Sequence, residues 1–365
     1  MDNVASVYGT KLKLSIFGES HGEAIGVVID GFPAGLKIDL DYISAFMKRR
    51  APGGSFSTKR NEPDIVRIVS GVSDGYTNGY PICTVIENTN QHSASYQDKM
   101  TVPRPNHADF AASIKYGEHT ELHGGGHFSG RLTAPIVFAG ALCSLYLKEH
   151  GIEIAAHIKS MLDTSDSSFD ISVTASELAE LKSRPFPAID KAAADAFAEI
   201  INNAQAKGDS VGAKLECIAV GLPTALGEHM FESVEAEISQ MMFAIPGVKG
   251  IEFGAGFDFS KMYGSVANDA YEYSGDKIVT KTNNCGGIVG GMTTGMPVVF
   301  SVAVKPTPSI FTEQDSVDMV KGENTKLSIK GRHDPCIAVR AVPVIEAGCA
   351  IALTELILKA DGRKL

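Results

Sequence analysis

Residues 11–29 read KLKLSIFGESHGEAIGVVI: two short strand-like runs, Lys11 to Phe17 and Ala24 to Ile29, separated by the polar turn GESHGE. The β-rich runs Ile65 to Val69 and Ile82 to Ile86 follow with only a helical segment before them. Strands that come in neighbouring pairs, rather than in strict alternation with helices, indicate a mixed α+β fold over a doubly wound sheet. Working outward, Leu40 to Arg50 reads as a helix whose basic end suits the negative end of its dipole, and Pro52-Gly53-Gly54 stops it. Helices are also expected over Ala108 to Tyr116, 130–149, Ala188 to Lys207, Val234 to Phe243 and Val342 to Ala360. Strands are expected over 152–158, Val211 to Ala219 and Pro297 to Lys305. In Val211 to Ala219 every odd residue is apolar while Lys214 and Glu216 face the other way, the pattern of a half-buried strand. No Pro/Ser linker, charge run or internal repeat divides the chain, so residues 1–365 read as one domain.

Composition narrows the function. The net charge of −10 argues against nucleic acid as a partner, because phosphate backbones attract basic surfaces. Six cysteines without a CxxC pair fit a reducing, cytoplasmic compartment, and the N-terminus has no apolar stretch long enough for a signal peptide. The apolar run Leu132 to Leu147 spans 16 residues, short of the roughly 20 that a bilayer needs, and reads as a buried helix rather than a membrane span. GxGxxG after the first strand, GxxxxGK[ST] and GxSxG are all missing, which removes the familiar nucleotide and hydrolase routes.

Three clusters join histidine or aspartate to turn-forming neighbours. In Gly18-Glu19-Ser20-His21-Gly22 an exposed imidazole between glycines suits proton transfer near neutrality; a solvated surface turn is the plain alternative. In Arg104-Pro105-Asn106-His107-Ala108-Asp109 Asn106 is placed to cap the following helix, and the segment is either a simple helix start or an anion site. Gly331-Arg332-His333-Asp334-Pro335 combines a cation, a titratable ring and a carboxylate; an ion-paired turn would use the same residues. Gly124 to Gly126 lead into His127, Phe128, Ser129, Gly130 and Arg131 at a helix start, either an anion site or a glycine-rich cap. His119, His123 and His127 are spaced four apart, but the glycines break the helix that a metal site would need, so no metal is expected. Lys48, Arg49, Arg50, Lys59 and Arg60 cluster early, while Arg104, Arg131, Lys305, Arg332 and Arg340 sit within or next to these turns, which suggests a highly anionic ligand.

Taken in order, these segments resemble the chorismate synthase family. GESHGEAIGVVIDGFPAG is similar to its first signature, GGGHFSGRLTAPIVFAGAL to its second and GRHDPCIAVRAVPVIEA to its third. KRRAPGG, RNEPDIVRIVSGV, RPNHADF, GDSVGAKLEC, IPGVKGIEFGAGF, NNCGGIVGG and VKPTPSI extend the likeness over nearly the whole chain. The resemblance implies a β-α-β sandwich with helices between antiparallel sheets, and a homotetramer. It implies an anti-1,4-elimination of phosphate from 5-enolpyruvylshikimate 3-phosphate (EPSP), needing reduced FMN without net redox change.

Carried over residue by residue, His21 protonates the leaving phosphate and His107 serves the flavin N1 and O2 edge. Asp334, relayed by Ser20 and Ser129, takes up the proton. Arg50, Arg104, Arg131 and Arg340 match positions that hold substrate. Flavin contacts map onto His127, Phe128, Ser129, Gly290, Lys305, Pro306, Thr307, Pro308, Ser309 and Arg332, with Pro246 and Gly247 acting through backbone. Many members carry GGGRSSAR where this chain has GGGHFSGR, and an arginine where it has Phe56. No reductase module is recognisable, so NADPH is implied only indirectly, through an external flavin reductase. The alternatives are a flavin-independent phosphate-releasing lyase or transferase, which would act with no FMN added, and a non-catalytic metabolite-binding protein, in which His21→Ala and His107→Ala would leave ligand-dependent behaviour unchanged.

Overall fold

A computed structural model describes residues 5–52, 64–89, 101–329 and 333–360. Arg332 and Phe56, both singled out above, lie outside the described residues. In chain order the first half contributes strands β1 (Val7–Tyr8), β2 (Lys13–Gly18) and β3 (Ala24–Asp30), helix α1 (Leu40–Arg50), and strands β4 (Val66–Ser70) and β5 (Ile82–Glu87). Helices α2 (Asp109–Tyr116) and α3 (Thr133–Glu149) follow. The second half contributes β6 (Glu153–Met161), β7 (Thr164–Ser165), α4 (Ala175–Ser183), α5 (Lys191–Ala206) and β8 (Ala213–Val220). It closes with α6 (Val234–Ala244), β9 (Val248–Phe253), β10 (Val298–Val304) and α7 (Ala338–Ala360).

Two five-stranded sheets result, ordered β1-β2-β3-β5-β4 and β9-β10-β8-β6-β7, with every pair antiparallel. The opening pair registers Lys13 with Asp30 and Gly18 with Ile25, so GESHGE is the connection at its end. Gly18 takes φ +92°, and a Cβ there would lie 2.2 Å from the Ala24 carbonyl oxygen; only glycine closes this pair.

Between the sheets lie α3 and α7, packed on each other, α3 against β3 and α7 against β6 and β8. The helical stretch Gly130–Glu149 that ends in α3, and α7, are long and apolar enough to cross a membrane by length and composition, yet 72% and 89% of their most apolar windows are buried. A helix apolar on all sides is stable only when covered on all sides. Their close approach depends on Gly140, where a Cβ would fall 2.3 Å from Ala347 Cα. Polar groups in this layer are satisfied: Glu355 accepts from the backbone N–H of Thr10, Lys11 and Leu12, and Glu346 accepts from Arg49 and from Ala156 N–H. One contiguous apolar core runs from Leu12 to Leu356.

The expected α+β sandwich is therefore present, and local differences have physical causes. β8 is not half-buried: α4 covers its second face, where Leu178 and Leu181 meet Ala155 and Ile218, and Glu216 is buried. The helix doing this is announced by a capping box, Thr174 with Glu177. Asn106 does not cap α2. It adopts φ +58°, and Ala108 begins the helix without a side-chain cap. Helix α7 starts at Ala338, four residues before the expected start, so Arg340 lies in its first turn.

Candidate active site

The glycine run Gly124-Gly125-Gly126 has φ of +60°, +94° and +51°, so it turns where a helix would continue. This removes the common helical face on which His119, His123 and His127 would have converged. The bare backbone is instead wedged between two rings. A Cβ at Gly124 would lie 1.9 Å from His21 Cε1, and one at Gly125 would lie 3.2 Å from His107 Nε2 and 3.4 Å from Ser129 Cβ. His21 and His107, 86 positions apart in the chain, thus touch consecutive residues of one loop. Ser20 N–H donates to the Gly126 carbonyl at 3.1 Å, fastening the histidine turn to the same loop. Ser129 ends the loop and caps the next turn, its Oγ accepting from Arg131 N–H at 3.3 Å.

His107 stands on a buried ion pair. Asp109 Oδ2 accepts from the backbone N–H and Nε of Arg104 at 3.0 and 2.7 Å, while Oδ1 accepts from Arg104 Nη2 at 2.7 Å and from His107 Nδ1 at 2.5 Å. Burial raises the Asp109 carboxyl, but the Arg104 and His107 hydrogen bonds outweigh it and hold it well below the usual carboxylate range. Arg104 Nη1 reaches Ser309 Oγ at 3.5 Å, and Lys305 Nζ donates to the Asn106 carbonyl. The ribbon Gln314–Asp318/Glu323–Leu327 steadies this segment through Ser316 Oγ, which donates to the Pro103 carbonyl at 2.6 Å.

A second group of arginines clusters about Asp64 and Asp334. Asp64 accepts from both Arg50 and Arg131. Arg131 Nε donates to Asn88 Oδ1 at 3.0 Å, and Asn88 Nδ2 donates to the carbonyls of Glu19 and Gly22, on either side of His21. Arg340 bonds Asp334 at 2.5 Å and donates from Nε to the Arg50 carbonyl at 2.9 Å. A continuous path therefore joins Asp334 to the His21 turn. Burial lowers the Arg50 guanidinium to about 10; Asp64 opposes the shift, while Arg340 and Arg131 beside it add to it. Among the described residues, five cations (Arg50, Arg104, Arg131, Lys305, Arg340) thus gather about three paired carboxylates (Asp64, Asp109, Asp334), a balance that suits a polyanionic ligand.

A comparison with known families decides what this arrangement belongs to. Residues 12–358 match the family model described as chorismate synthase. The chain belongs to the chorismate synthase family. Among curated relatives, the chorismate synthase of Thermococcus kodakarensis is 40% identical over 351 residues, covering 96% of this chain and 97% of that one. The chorismate synthase of Dehalococcoides mccartyi is 43% identical over 356 residues, 96% of each chain. A solved structure titled "Crystal Structure of Chorismate Synthase" superposes with a TM-score of 0.75 at 28% identity, covering 97% of this chain and 94% of that one.

Within this family frame the departures from the common pattern have visible partners. The Gly18 carbonyl can only accept, so His127 Nδ1 donates to it at 2.8 Å, and in the neutral ring Nε2 accepts from Ser6 Oγ at 3.0 Å. Phe128 packs against Tyr116, ring centroids 6.1 Å apart. These contacts tie the loop to the end of β2 and to α2. Of the other positions matched to flavin contacts, Lys305 N–H donates to the Gly247 carbonyl at 2.9 Å, and the Thr307 carbonyl accepts from Ser210 Oγ at 2.7 Å. Pro246 and Gly247 therefore lie beside the Lys305–Ser309 segment, which with Pro306 and Pro308 runs past Arg104. Gly290 sits elsewhere, on the turn of the ribbon Ile288–Val289/Met292–Thr293, where its neighbour Gly291 packs on Glu228 and Ser233.

Asp109, Asp64 and Asn88 are site residues that sequence reasoning missed. Asp109 had a signal, a carboxylate two positions after a histidine. Asp64 and Asn88 had none, because their partners are distant in the chain.

Proposed function

We propose that this protein makes chorismate by anti-1,4-elimination of phosphate from EPSP, with reduced FMN required and no net redox change. The observation that carries this reading is the Gly124–Gly125 backbone, held between the His21 and His107 rings beside the arginine cluster. EPSP and reduced FMN together bring on the order of six or seven negative charges, whose burial unpaired would cost many kcal/mol. The cluster's balance of charge fits that demand.

The residues also fit a flavin. Thr307 Oγ1 is buried without a hydrogen-bond partner among the described residues, in a segment flanked by Lys305 and Ser309. Lys305, Ser309, Gly247 and Ser129 would hold the cofactor there. Reduced FMN, when bound, supplies electron density that assists C–O cleavage and helps remove the C6 proton. His21 gives its proton to the departing phosphate. His107 offers Nε2, the ring atom nearest Gly125, as a proton holder for the cofactor. Asp334, relayed by Ser20 and Ser129, takes up the proton lost from C6. Arg50, Arg104, Arg131 and Arg340, each held by a carboxylate, bring the positive field and the forked donors that phosphate and carboxylate need.

Assembly as a homotetramer is supported by an uncovered apolar face on the ribbon Tyr271–Ser274/Lys277–Thr280, where Tyr271, Tyr273 and Ile278 are 65%, 78% and 59% exposed. Six free thiols support a cytoplasmic setting. Reduction of the flavin by a separate reductase completes the reading; aerobic turnover with NADPH and FMN alone would overturn that part. The main test is anaerobic phosphate release from EPSP with chemically reduced FMN. No release sinks the proposal, and equal release with FMN omitted replaces it with a flavin-independent elimination.

A further inference from the structure

Asp109 occupies the first position of α2, where a carboxylate ordinarily turns toward the free N–H groups of its own helix. Here it turns away. Among the described residues its hydrogen bonds go back to Arg104 and His107, and its side chain is only 1% exposed. Arg104 Nη2 also lies 3.1 Å from His107 Nδ1. A guanidinium only donates, so it cannot share a proton with a ring nitrogen that itself donates. The contact is explained if both N–H groups aim at the same atom, Asp109 Oδ1, whose two lone pairs receive one each. Nδ1 then carries the proton, and Nε2, which lies 3.2 Å from where a Gly125 Cβ would be, is the nitrogen left for the reaction.

We propose that Asp109 is a positioning residue that sets the tautomer and ring orientation of His107, with Arg104 acting chiefly to hold that carboxylate rather than to bind substrate. Its consequence for turnover rests on the function proposed above; the tautomer itself does not. The arrangement corresponds to the general case in which a buried carboxylate on one imidazole nitrogen decides what the other can do.

Asp109→Asn gives a specific expectation. The backbone and Nε donors of Arg104 require an acceptor at the Oδ2 position, so the new amide nitrogen falls at the Oδ1 position. There it donates to His107 Nδ1, driving the proton to Nε2, and it also faces Arg104 Nη2 without an acceptor.

The experiment uses the full-length protein labelled with nitrogen-15 histidine, at alkaline pH where the rings are neutral, with His107 assigned by its loss in His107→Gln. In the wild type the protonated nitrogen is expected to be Nδ1; a neutral His107 protonated on Nε2 overturns the proposal without recourse to any variant. In folded Asp109→Asn the proton is expected on Nε2, with kcat for phosphate release lower by about 10- to 100-fold and KM for EPSP little changed. An unchanged tautomer with unchanged kcat overturns it. Should the wild type release no phosphate, the elimination reading fails while the spectra still decide the role of Asp109.

Discussion

Gly124→Ala is the most exacting test of the site. An added Cβ would start 1.9 Å from His21 Cε1 and 2.1 Å from Nδ1, whereas ordinary contact begins at 3.4 Å. The ring must therefore move by about 1.5 Å, or the loop must, and a 1 Å misplacement of a reacting group can cost about 100-fold in rate. The φ of +60° adds about 1–2 kcal/mol of backbone strain for any residue with a Cβ. Gly151→Ala separates the two effects. Gly151 has φ +74° with open space at its Cβ position, and lies past the far end of α3, about 25 Å from the loop by helix rise. Both variants should lose stability in urea unfolding, Gly124→Ala by more because it adds the clash to the strain. Only Gly124→Ala should lose about 100-fold in the anaerobic phosphate-release assay. If Gly124→Ala keeps the wild-type rate, or if Gly151→Ala loses as much, His21 is not the proton donor held by this loop.

Three further outcomes are expected. Asp64→Asn tolerates the residue's positive φ but strips Arg50 and Arg131 of their shared counter-charge, so unfolding should show a loss of about 3–5 kcal/mol; unaltered stability would mean the pairing is dispensable. Gly140→Ala overpacks the contact between α3 and α7 and should cost about 1–3 kcal/mol; a neutral or stabilising result would contradict the close helix approach. His157 lies buried between Asp166 at 3.0 Å and Glu216 at 3.1 Å; burial pulls its pKa down, but the two carboxylates outweigh burial and raise it above 6.5. Its contribution is therefore present below pH 6.5 and lost as pH rises through the raised value, while Asp166 and Glu216, held low, lose theirs only in acid, as pH falls through their depressed values. Urea midpoints should decline above neutrality in the wild type and much less so in His157→Gln; parallel profiles would rule out a charged His157.

The sandwich was legible because its signals are local. Paired strands flank a short polar turn, α1 runs over the residues its dipole and proline stop imply, and the two helices of the middle layer are apolar on every side. The polar network was less legible. Glu216 alternates with apolar residues and so reads as solvent-facing, yet the distant Ala175–Ser183 helix covers that face and His157 and Phe169 N–H satisfy the carboxylate. Arginines placed beside each motif imply an anionic ligand, but their spacing does not say which of them are already paired with a carboxylate.

What the sequence by itself determined is the chemistry available: histidines at glycine-bounded turns, an aspartate and arginines near them, and a glycine run with no side chains in the way. What only the tertiary structure decided is their pairing. Asp64, Asp109 and Asn88 choose among those groups through contacts set when two sheets close on α3 and α7, because a hydrogen bond depends on separations of a few tenths of an ångström that no spacing along the chain encodes.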